Sequence, residues 1–319
     1  MMRTAECVTP RHPDKICDRI SDAILDECLK QDPQSRVAVE TCGGHGKIFI
    51  TGEITTNAQL DIPQIAQRVY GAAIEIITNI VEQSNFIAQG VDVGGAGDQG
   101  IMVGYACNEN EELIPQELYL ARQLCKRIYE KYPYDGKTQV TLEDGKVTTV
   151  VASFQNARGI DLRNMVEEWL ELPWAYCPHP KIHCNPAGDW NMGGFDADAG
   201  VTGRKLVVDN YGPRIPIGGG AFSGKDASKV DRSAAYIARK IAVDILQEQN
   251  ANDVYVYLAY AIGYNMPVQA TAIIDGDEVN LNGKYDLTPE GIKSYLKLTK
   301  PIFEETAAWG HFGNGFAWG

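Results

Sequence analysis

The sequence of 319 residues contains no apolar run that approaches the ~20 residues a membrane-spanning helix needs. Its first residues lack the apolar core of a secretory signal peptide. Its eight cysteines form no Cys-x-x-Cys pair, so the cysteine pattern indicates neither a zinc site nor a disulfide framework. These absences argue against a membrane or secreted protein and predict a reduced, cytoplasmic setting.

Positive charge is scarce relative to negative charge. The chain has 29 lysines and arginines against 42 aspartates and glutamates, which gives a formal net charge of −13. A surface of that sign repels nucleic acids and anionic membranes. Against this background, several basic residues fall close together in the sequence, namely Arg204, Lys205, Lys225, Lys229 and Arg232. A local positive cluster on an acidic chain indicates a small anionic ligand.

Much of that cluster belongs to a glycine-rich segment over 218–232, GGGAFSGKDASKVDR, which opens a helical pattern. Free N–H groups at a helix start and the helix dipole both favour an anion. The repeated Lys-Asp pairs add mobile cations and carboxylates for a divalent metal, so the segment predicts a polyphosphate site. Gly219, Gly224 and Lys225 nearly match a nucleotide-binding P-loop, but Asp226 stands where that motif needs Ser or Thr. The alternative is a glycine loop that only turns the chain.

A second group of charged residues, His12-Pro13-Asp14-Lys15, stands where the apolar periodicity of the first predicted helix begins. Mg²⁺ prefers oxygen ligands together with substrate phosphates, so Asp14 and Asp231 are candidate ligands. His12 is suited to stabilising charge on a leaving phosphate oxygen, although a solvated capping histidine is the alternative. Aspartate recurs at every fourth position after Asp14, and we expect a solvated helix face for Asp18, Asp22 and Asp26.

The order of predicted elements repeats three times. The first pass reads as a strand over 3–8, a helix from Pro13, strands over 36–42 and 47–56, and a helix over 62–81. The second has a strand over 100–107, a helix over 115–132, strands over 138–143 and 146–154, and a helix over 162–170. The third has a lead-in strand over 204–210, a helix over 229–249, strands over 253–261 and 269–274, and a helix over 289–298. We predict an α+β fold of three related units with helices on one face of each sheet, with domains over 1–92, 93–188 and 189–319.

Two further glycine-rich loops fall where the repeats join. The loop over 94–100 carries one carboxylate, Asp98, and the segment over 185–203 carries three aspartates and an aromatic residue, Trp190. Glycine loops with isolated polar groups are often binding loops set on a rigid scaffold. Plain linkers have the same composition, so both interpretations stay open.

The chain contains, in this order, the motifs HPDKICDRISDAILD, GEITT, GAGDQG, TGRK, GGGAFSGKDASKVDRSAAY, YAIG and TAAWGHFG. Together they resemble the S-adenosylmethionine synthetase family, or methionine adenosyltransferases, over nearly the whole chain. The three-unit, pseudo-threefold fold of that family is similar to the repeat described above. The resemblance implies synthesis of S-adenosylmethionine from ATP and L-methionine. Methionine sulfur would attack C5′ of the ribose and expel triphosphate, which is then cleaved to phosphate and diphosphate.

The resemblance also implies roles for residues that match the family's motifs. It predicts ATP contacts from His12, Lys15, Asp135, Lys137, Trp190, Arg204, Lys205 and Lys225, with the Trp190 indole stacked on adenine. It predicts methionine contacts from Glu53, Gln89, Asp98, Asp198, Lys229 and Ile262. It predicts two Mg²⁺ ions, at Asp14 and Asp231, and K⁺ at Glu40. The catalytic set that it implies is His12, Lys137, Arg204, Lys205, Lys225 and Lys229.

The family's active site lies between two subunits, so the resemblance implies at least a dimer, with a tetramer as the other expectation. The chain departs from the family at several points. Pro10-Arg11 replace the usual Glu-Gly before the His-Pro-Asp-Lys motif, and Arg11 is expected either to bind phosphate or to fill part of the site. The loop over 89–95 is shortened, and Asp189 replaces a basic residue. The histidine that usually precedes the glycines after 217 is missing.

Two other functions compete with the synthetase. The first is a phosphotransferase that uses the glycine-lysine loop on ATP, which Asp226 argues against. The second is a catalytically weak homologue that binds ATP or S-adenosylmethionine as a sensor, which Arg11 and the short loop favour. The intact charge cluster of the synthetase motifs argues against the sensor.

Overall fold

The computed structural model describes residues 1–83, 94–172, 179–281 and 283–319. Within these ranges the chain forms three four-stranded sheets, each packed against a long helix. The strands are β1 (Met2–Val8), β2 (Arg36–Gly44), β3 (Lys47–Thr55), β4 (Glu75–Val81), β5 (Gly100–Cys107), β6 (Gly136–Glu143), β7 (Lys146–Phe154), β8 (Lys181–Cys184), β9 (Gly200–Val201), β10 (Asp253–Tyr260), β11 (Gln269–Ile274) and β12 (Asp277–Asn280). The helices are α1 (Pro13–Gln31), α2 (Ile62–Tyr70), α3 (Gln116–Lys131), α4 (Gly159–Leu170), α5 (Leu206–Asp209), α6 (Val230–Gln249), α7 (Pro289–Tyr295) and α8 (Phe303–Trp309).

The first sheet has the strand order β4-β3-β2-β9 and lies against α1. The helix begins at Pro13, whose fixed φ suits a first helical position. Its apolar stripe, which includes Ile16, Ile20 and Ile24, is fully buried together with the inward side chains of β2 and β3. The opposite face of this sheet is half-buried or exposed, so one face of the sheet carries the core and the other is left open.

The other two sheets repeat this arrangement. The order β1-β6-β7-β8 packs against α3, and the order β12-β11-β10-β5 packs against α6. In each sheet one strand comes from a distant part of the sequence, because β1 pairs with β6 and β5 pairs with β10, both antiparallel. The predicted α+β class is therefore confirmed. None of the helices in the described ranges is both long and apolar enough to cross a membrane.

The sequence predicts two segments wrongly. The predicted helix over 62–81 is α2 followed by β4, because Gly71 adopts a left-handed conformation (φ 89°) and ends α2, with its N–H donating to the carbonyl oxygen of Gln67. The residues that follow are rich in β-branched isoleucine and threonine, which favour a strand. The predicted lead-in strand over 204–210 is the short helix α5.

The solvated face expected for the aspartates of α1 is also wrong. Asp18 and Asp22 are completely buried, and Asp26 is 7% exposed. Helix α8 and the loops that follow residue 200 cover this side of α1. A carboxylate under that cover must find donors, and the aspartates find backbone N–H groups of the covering segments.

Candidate active site

The site begins at the N-terminus of α1, where His12 is the N-cap residue. Its Nδ1 accepts a hydrogen bond from the backbone N–H of Asp14 at 3.2 Å. Burial, and then the nearby positive charge of Lys205, lower the pKa of His12 to about 4. The ring is therefore neutral at pH 7, and because Nδ1 accepts, the proton is on Nε2. His12 thus presents a neutral N–H donor, not a charged imidazolium.

Asp14 lies under this histidine and is almost completely buried. Its Oδ1 accepts from the backbone N–H of Val201 at 3.0 Å, and its Oδ2 accepts from Nζ of Lys205 at 2.5 Å. Nε of the exposed Arg204 lies 3.4 Å from the same carboxylate. Burial alone would raise the pKa of Asp14, but the hydrogen bonds from Lys205 and Val201 outweigh it and the pKa is lowered. Asp14 is held as an anion between two cations.

The glycine-rich segment before α6 forms a second group of charges. Lys225 donates from Nζ to Oδ2 of Asp231 at 2.6 Å, and Lys229 donates to Oδ2 of Asp226 at 2.5 Å. Gly220 packs on Asp231 so closely that an added Cβ would lie 2.5 Å from its carboxylate. Asp226 is buried and also accepts from the backbone N–H of Val37, which ties the segment to β2.

Three further predicted residues approach His12. Lys137, on the first residues of β6, and Asp198 both lie near enough to His12 to influence its pKa. Asp135 lines a cleft of about 210 Å³ together with Tyr134, Phe195 and glycines 193 and 194. Its Oδ2 accepts from the backbone N–H of Gly194 at 2.9 Å, and burial raises its pKa. The structure thus gathers His12, Asp135 with Lys137, and Asp198 from three separate segments.

Trp190 lies just outside this cleft, next to Gly193. A Cβ atom added to Gly193 would lie 2.7 Å from the Trp190 ring and 2.6 Å from the Gln155 side chain. The indole is half-buried, and its Nε1 donates to Oδ1 of Asn185 at 3.3 Å. Asp189, beside it, accepts from the backbone N–H of Gly159 at 2.8 Å. The replacement of a basic residue at 189 therefore gives this loop a local hydrogen bond.

Arg11 is one of the residues that line the cleft of Asp135, and its charged group lies at the end of a helix. Its guanidinium donates to the backbone carbonyl oxygens of Tyr70 (2.7 Å) and Val69 (3.5 Å), at the C-terminal end of α2. Those carbonyls have no partner within the helix, so the arginine caps α2. Phosphate binding by Arg11 and filling of part of the site by Arg11 both stay predictions.

Lys15 also differs from the prediction, because its ammonium is completely buried. Its Nζ lies 2.5 Å from Oδ1 of Asp209 and 3.0 Å from Oδ2 of Asp18. Burial alone would lower the pKa of Lys15, but the two carboxylates outweigh it and the pKa is raised. We therefore replace the predicted ATP contact by a structural role, since both partners of this cation lie inside the protein.

Some of the residues predicted to hold methionine and K⁺ lie away from the His12 cluster, whereas Asp198 lies near His12. Glu40 and Glu53 project from the open face of β2 and β3, and Ile262 and Asp98 are exposed on loops. Gln89 lies outside the described residues. No hydrogen bond or ion pair joins Glu40, Glu53 or Ile262 to the His12 cluster within the ranges that the structure covers. One copy of the chain therefore does not assemble the predicted methionine site in that part of the structure.

Sequence reasoning missed a buried network beneath these loops. Arg232 forms a bidentate ion pair with Asp22 (2.6 and 2.8 Å) and donates to the hydroxyl of Tyr236, which bonds Nδ1 of His311 at 2.7 Å. Burial lowers the pKa of His311 well below its ordinary value. The four-residue spacing of the aspartates on α1 is the sequence signal for this network, although the same spacing is also typical of a solvated helix face.

The described residues form three sheet-and-helix units with lysine–aspartate ion pairs at Lys205, Lys225 and Lys229, an arrangement that is typical of proteins that bind polyphosphates. Comparison with known proteins makes this specific. Family models for the N-terminal, central and C-terminal domains of S-adenosylmethionine synthetase match residues 1–92, 93–190 and 192–319. The chain belongs to the S-adenosylmethionine synthetase family.

Individual relatives agree with the family models. The S-adenosylmethionine synthase of Brachyspira hyodysenteriae is 42% identical, in an alignment that covers 97% of this chain and 92% of the relative. The S-adenosylmethionine synthase of Clostridium tetani is 41% identical, with 97% and 93% of the two chains covered. The similarity extends over essentially the whole length of both proteins.

Proposed function

We propose that the cluster around His12, Asp14 and Lys205 is where this chain makes S-adenosylmethionine from ATP and L-methionine. The activity itself follows from family membership: the chain is a methionine adenosyltransferase. The observation that carries the proposal for the site is the orientation of His12: Nδ1 accepts from Asp14, and among the residues that the structure describes no hydrogen bond engages Nε2, which lies beside an anchored anion and two cations.

The reaction explains why such a site suffices. Methionine sulfur forms a bond to C5′, the C5′–O bond breaks, and its electron pair leaves on triphosphate. No proton has to move in this step, because the sulfur becomes a sulfonium ion. The demand is to position two reactants and to stabilise negative charge on the leaving oxygen. We assign that donation to Nε2–H of His12, with Lys205, Arg204 and Lys137 as cations for the triphosphate.

The second half of the site is assigned to the same polyphosphate. Lys225 and Lys229 are each paired with an aspartate in the chain alone. We propose that triphosphate oxygens take over these lysines when ATP binds, since phosphate carries more charge than one carboxylate. Water then cleaves the triphosphate to phosphate and diphosphate, and the same cations hold the products.

Asp14 and Asp231 are the proposed Mg²⁺ ligands. Among the described residues no three His, Cys, Asp or Glu side chains converge into a metal-binding group. This fits Mg²⁺, which is often held by one or two carboxylates with the remaining positions filled by water and substrate phosphates. When bound, the ions neutralise phosphate charge. Glu40, on the open face of the first sheet, stays the proposed ligand for K⁺.

Methionine is assigned to Glu53, Gln89, Asp98, Asp198 and Ile262, with Lys229 near its carboxylate. Because Glu53 lies on the open face of the first sheet, we propose that a second copy of the chain completes this part of the site. The same face carries exposed apolar side chains: Phe49 is paired with Ile77, and Val81 is paired with Glu53. An apolar sheet face of this kind suits an isologous contact between two copies.

The remaining assignments also follow from the family. Adenine is assigned to the ring of Trp190 and the ribose to Asp135. We retain the division into domains over 1–92, 93–188 and 189–319, and a cytoplasmic setting, as proposals. Self-association into at least a dimer is the assembly that the methionine site requires.

One incubation tests the proposal. The protein, ATP, L-methionine, Mg²⁺ and K⁺ are mixed, S-adenosylmethionine is identified by mass spectrometry, and phosphate and diphosphate are quantified. We expect S-adenosylmethionine with equal amounts of phosphate and diphosphate. ADP formed in proportion to a phosphorylated acceptor would indicate a phosphotransferase instead. ATP binding without any product would indicate the sensor.

A further inference from the structure

The aspartates of α1 are spaced by four residues, and each carboxylate accepts a backbone N–H from the later part of the chain. Asp14 accepts from Val201 (3.0 Å), Asp18 from Gly203 (2.8 Å), Asp22 from Gly224 (2.8 Å), and Asp26 from Phe303 (2.9 Å) and Glu304 (2.9 Å). Residues four apart lie on one face of a helix. One face of α1 therefore holds three segments in place, at 201–203, at Gly224 and at 303–304.

Two of these segments carry the cations of the site. Gly203 directly precedes Arg204 and Lys205, and Gly224 directly precedes Lys225. Both glycines have a left-handed backbone, with φ of 81° and 80°. A Cβ on Gly224 would also lie 1.9 Å from the carbonyl oxygen of Val39. In each loop, the residue whose backbone N–H donates to an aspartate of α1 directly precedes a cationic residue.

We propose that Asp18 and Asp22 are positioning residues for the reaction: their carboxylates fix the two cationic loops to α1, the helix that His12 caps and whose first turn contains Asp14. The inference rests on the proposed function, in which the cations of these two loops bind the triphosphate. It assigns Asp18 and Asp22 no contact with substrate. Their role is to fix the backbone positions from which the side chains of Arg204, Lys205 and Lys225 extend.

The reason for the positioning is geometric. His12 caps the rigid helix α1, and Asp14 lies in its first turn. Arg204 and Lys205 lie in the turn between β9 and α5, and Lys225 lies in the glycine-rich segment, which a β-bridge at Ala38 also joins to β2. A misplacement of about 1 Å in a site that works by orientation costs on the order of 100-fold in rate. Anchoring both loops on one helix fixes the donor and the cations in a common frame.

Asp18 offers the cleaner test, because Asp22 also holds the buried Arg232 and its loss leaves that cation unpaired. Asp18→Ala removes the acceptor for Gly203. Asp18→Asn keeps an oxygen acceptor at the same place. Both variants remove the carboxylate that pairs with Lys15. Only Asp18→Asn keeps an oxygen that can accept from Gly203, with its NH2 group then facing Lys15.

Asp26 provides a matched control on the same helix face. It is buried and accepts two backbone N–H groups, but the segment that it holds, the start of α8, carries no candidate site residue. Asp26→Ala therefore destabilises the chain by the same kind of loss without touching the cationic loops. If Asp18→Ala does not fold, Asp18→Ser takes its place, because its short hydroxyl leaves room for water.

The variants are checked for folding by circular dichroism, and kcat and KM for S-adenosylmethionine formation are measured with both substrates. Affinity for inorganic triphosphate with Mg²⁺ is measured by calorimetry. We expect Asp18→Ala to lower kcat by roughly 30- to 100-fold and to weaken triphosphate binding. We expect Asp18→Asn to stay within about threefold and Asp26→Ala within about twofold of the unchanged protein.

A folded Asp18→Ala variant with unchanged kcat and triphosphate affinity overturns the positioning role. Equal losses in Asp18→Ala and Asp26→Ala overturn it as well, because they indicate a general loss of stability. If the unchanged protein binds triphosphate but makes no product, the proposed function fails. The positioning role then stands only if Asp18→Ala binds triphosphate more weakly than Asp18→Asn and Asp26→Ala do. If it neither binds triphosphate nor makes product, both fail.

Discussion

Lys205 and Asp14, which are assigned to phosphate and to Mg²⁺ respectively, form a direct ion pair, with Nζ of the lysine 2.5 Å from Oδ2 of the aspartate. Lys225 and Asp231 form a second pair of the same kind at 2.6 Å. In each pair a candidate phosphate ligand neutralises a candidate metal ligand. The chain alone therefore keeps the charges of the site balanced, and ATP with Mg²⁺ is expected to exchange these partners.

Lys229→Met is expected to lower kcat at least 100-fold, because it removes a cation from the triphosphate site. The structure adds a cost in stability. Lys229 is the ion-pair partner of the buried Asp226, whose burial would otherwise raise its pKa. After the substitution only N–H donors such as those of Val37 and Ser228 remain for this carboxylate. Steady-state kinetics and urea unfolding measure the two effects separately.

Lys284→Met is the control for that substitution. Lys284 also pairs with a carboxylate, Glu248, but both side chains of this pair are more than half exposed. Its loss is expected to leave both kcat and the free energy of unfolding nearly unchanged, since exposed ion pairs contribute little. A Lys229→Met variant with full activity would remove Lys229 from the reaction.

Trp190→Ala is expected to weaken ATP binding, because stacking of a base on an aromatic ring contributes about 1–3 kcal/mol. This corresponds to roughly a 5- to 150-fold rise in KM for ATP, with little change in kcat. Trp190→Phe keeps a stacking surface and is the control. A large fall in kcat at saturating ATP, with an unchanged KM, would contradict the assignment to adenine.

Arg11→Met is expected to affect stability and not the reaction. The variant keeps an apolar stem but loses the donors to the carbonyl oxygens of Val69 and Tyr70. Loss of this cap is expected to cost about 1–3 kcal/mol of the free energy of unfolding, as for other charged hydrogen bonds. Urea unfolding measures this cost. A fall in kcat of tenfold or more, with stability unchanged, would return Arg11 to the active site.

Element types were readable from periodicity, and the misread positions have identifiable physical causes. Sequence alone does not tell whether Gly71 ends a helix or only interrupts it. The predicted helix over 62–81 therefore includes the β-branched residues that form β4. The burial of Asp18, Asp22 and Asp26 depends on α8 and on loops about 180 or more positions away in the chain. A polar stripe that is covered by distant segments has the same local pattern as one in water.

Asp26→Asn is expected to change how stability depends on pH. Burial raises the pKa of Asp26 to about 6, despite the N–H groups of Phe303 and Glu304. Between about pH 4 and pH 6 the unfolded carboxyl has lost its proton while the folded one keeps it, so the free energy of unfolding falls as pH rises. This contribution totals about 3 kcal/mol at 1.36 kcal/mol per pKa unit.

The asparagine variant lacks this titration, so the difference in free energy of unfolding between the two proteins should shift in favour of the variant from pH 4 to pH 6. Urea unfolding at intervals across this range measures the difference. Parallel pH profiles for the two proteins would contradict the raised pKa of Asp26.

The candidate site was readable only in part, for a similar reason. His12, Asp14, Lys205 and the glycine-lysine segment were recognisable from motifs. Lys15 lies in the same motif, but its environment is set by Asp209, which is distant in the chain. A motif identifies residues that are close together in the sequence. Whether such a side chain faces the ligand site or the protein interior depends on the distant segments that pack against it.

The role of His12 is the central claim, and a pair of substitutions tests it most directly. His12→Asn keeps an acceptor for the backbone N–H of Asp14, as Nδ1 provides now, and removes the Nε2–H donor. His12→Gln places an amide donor near the position of Nε2. Formation of S-adenosylmethionine is measured for both at saturating ATP and methionine, after circular dichroism has established folding.

We expect His12→Asn to lower kcat by about 100- to 1,000-fold, the usual cost of removing one donor to a developing oxyanion. We expect His12→Gln to retain more activity than His12→Asn, because a donor remains. A folded His12→Asn variant that forms S-adenosylmethionine at the rate of the unchanged protein would contradict the assignment of the reaction to this site.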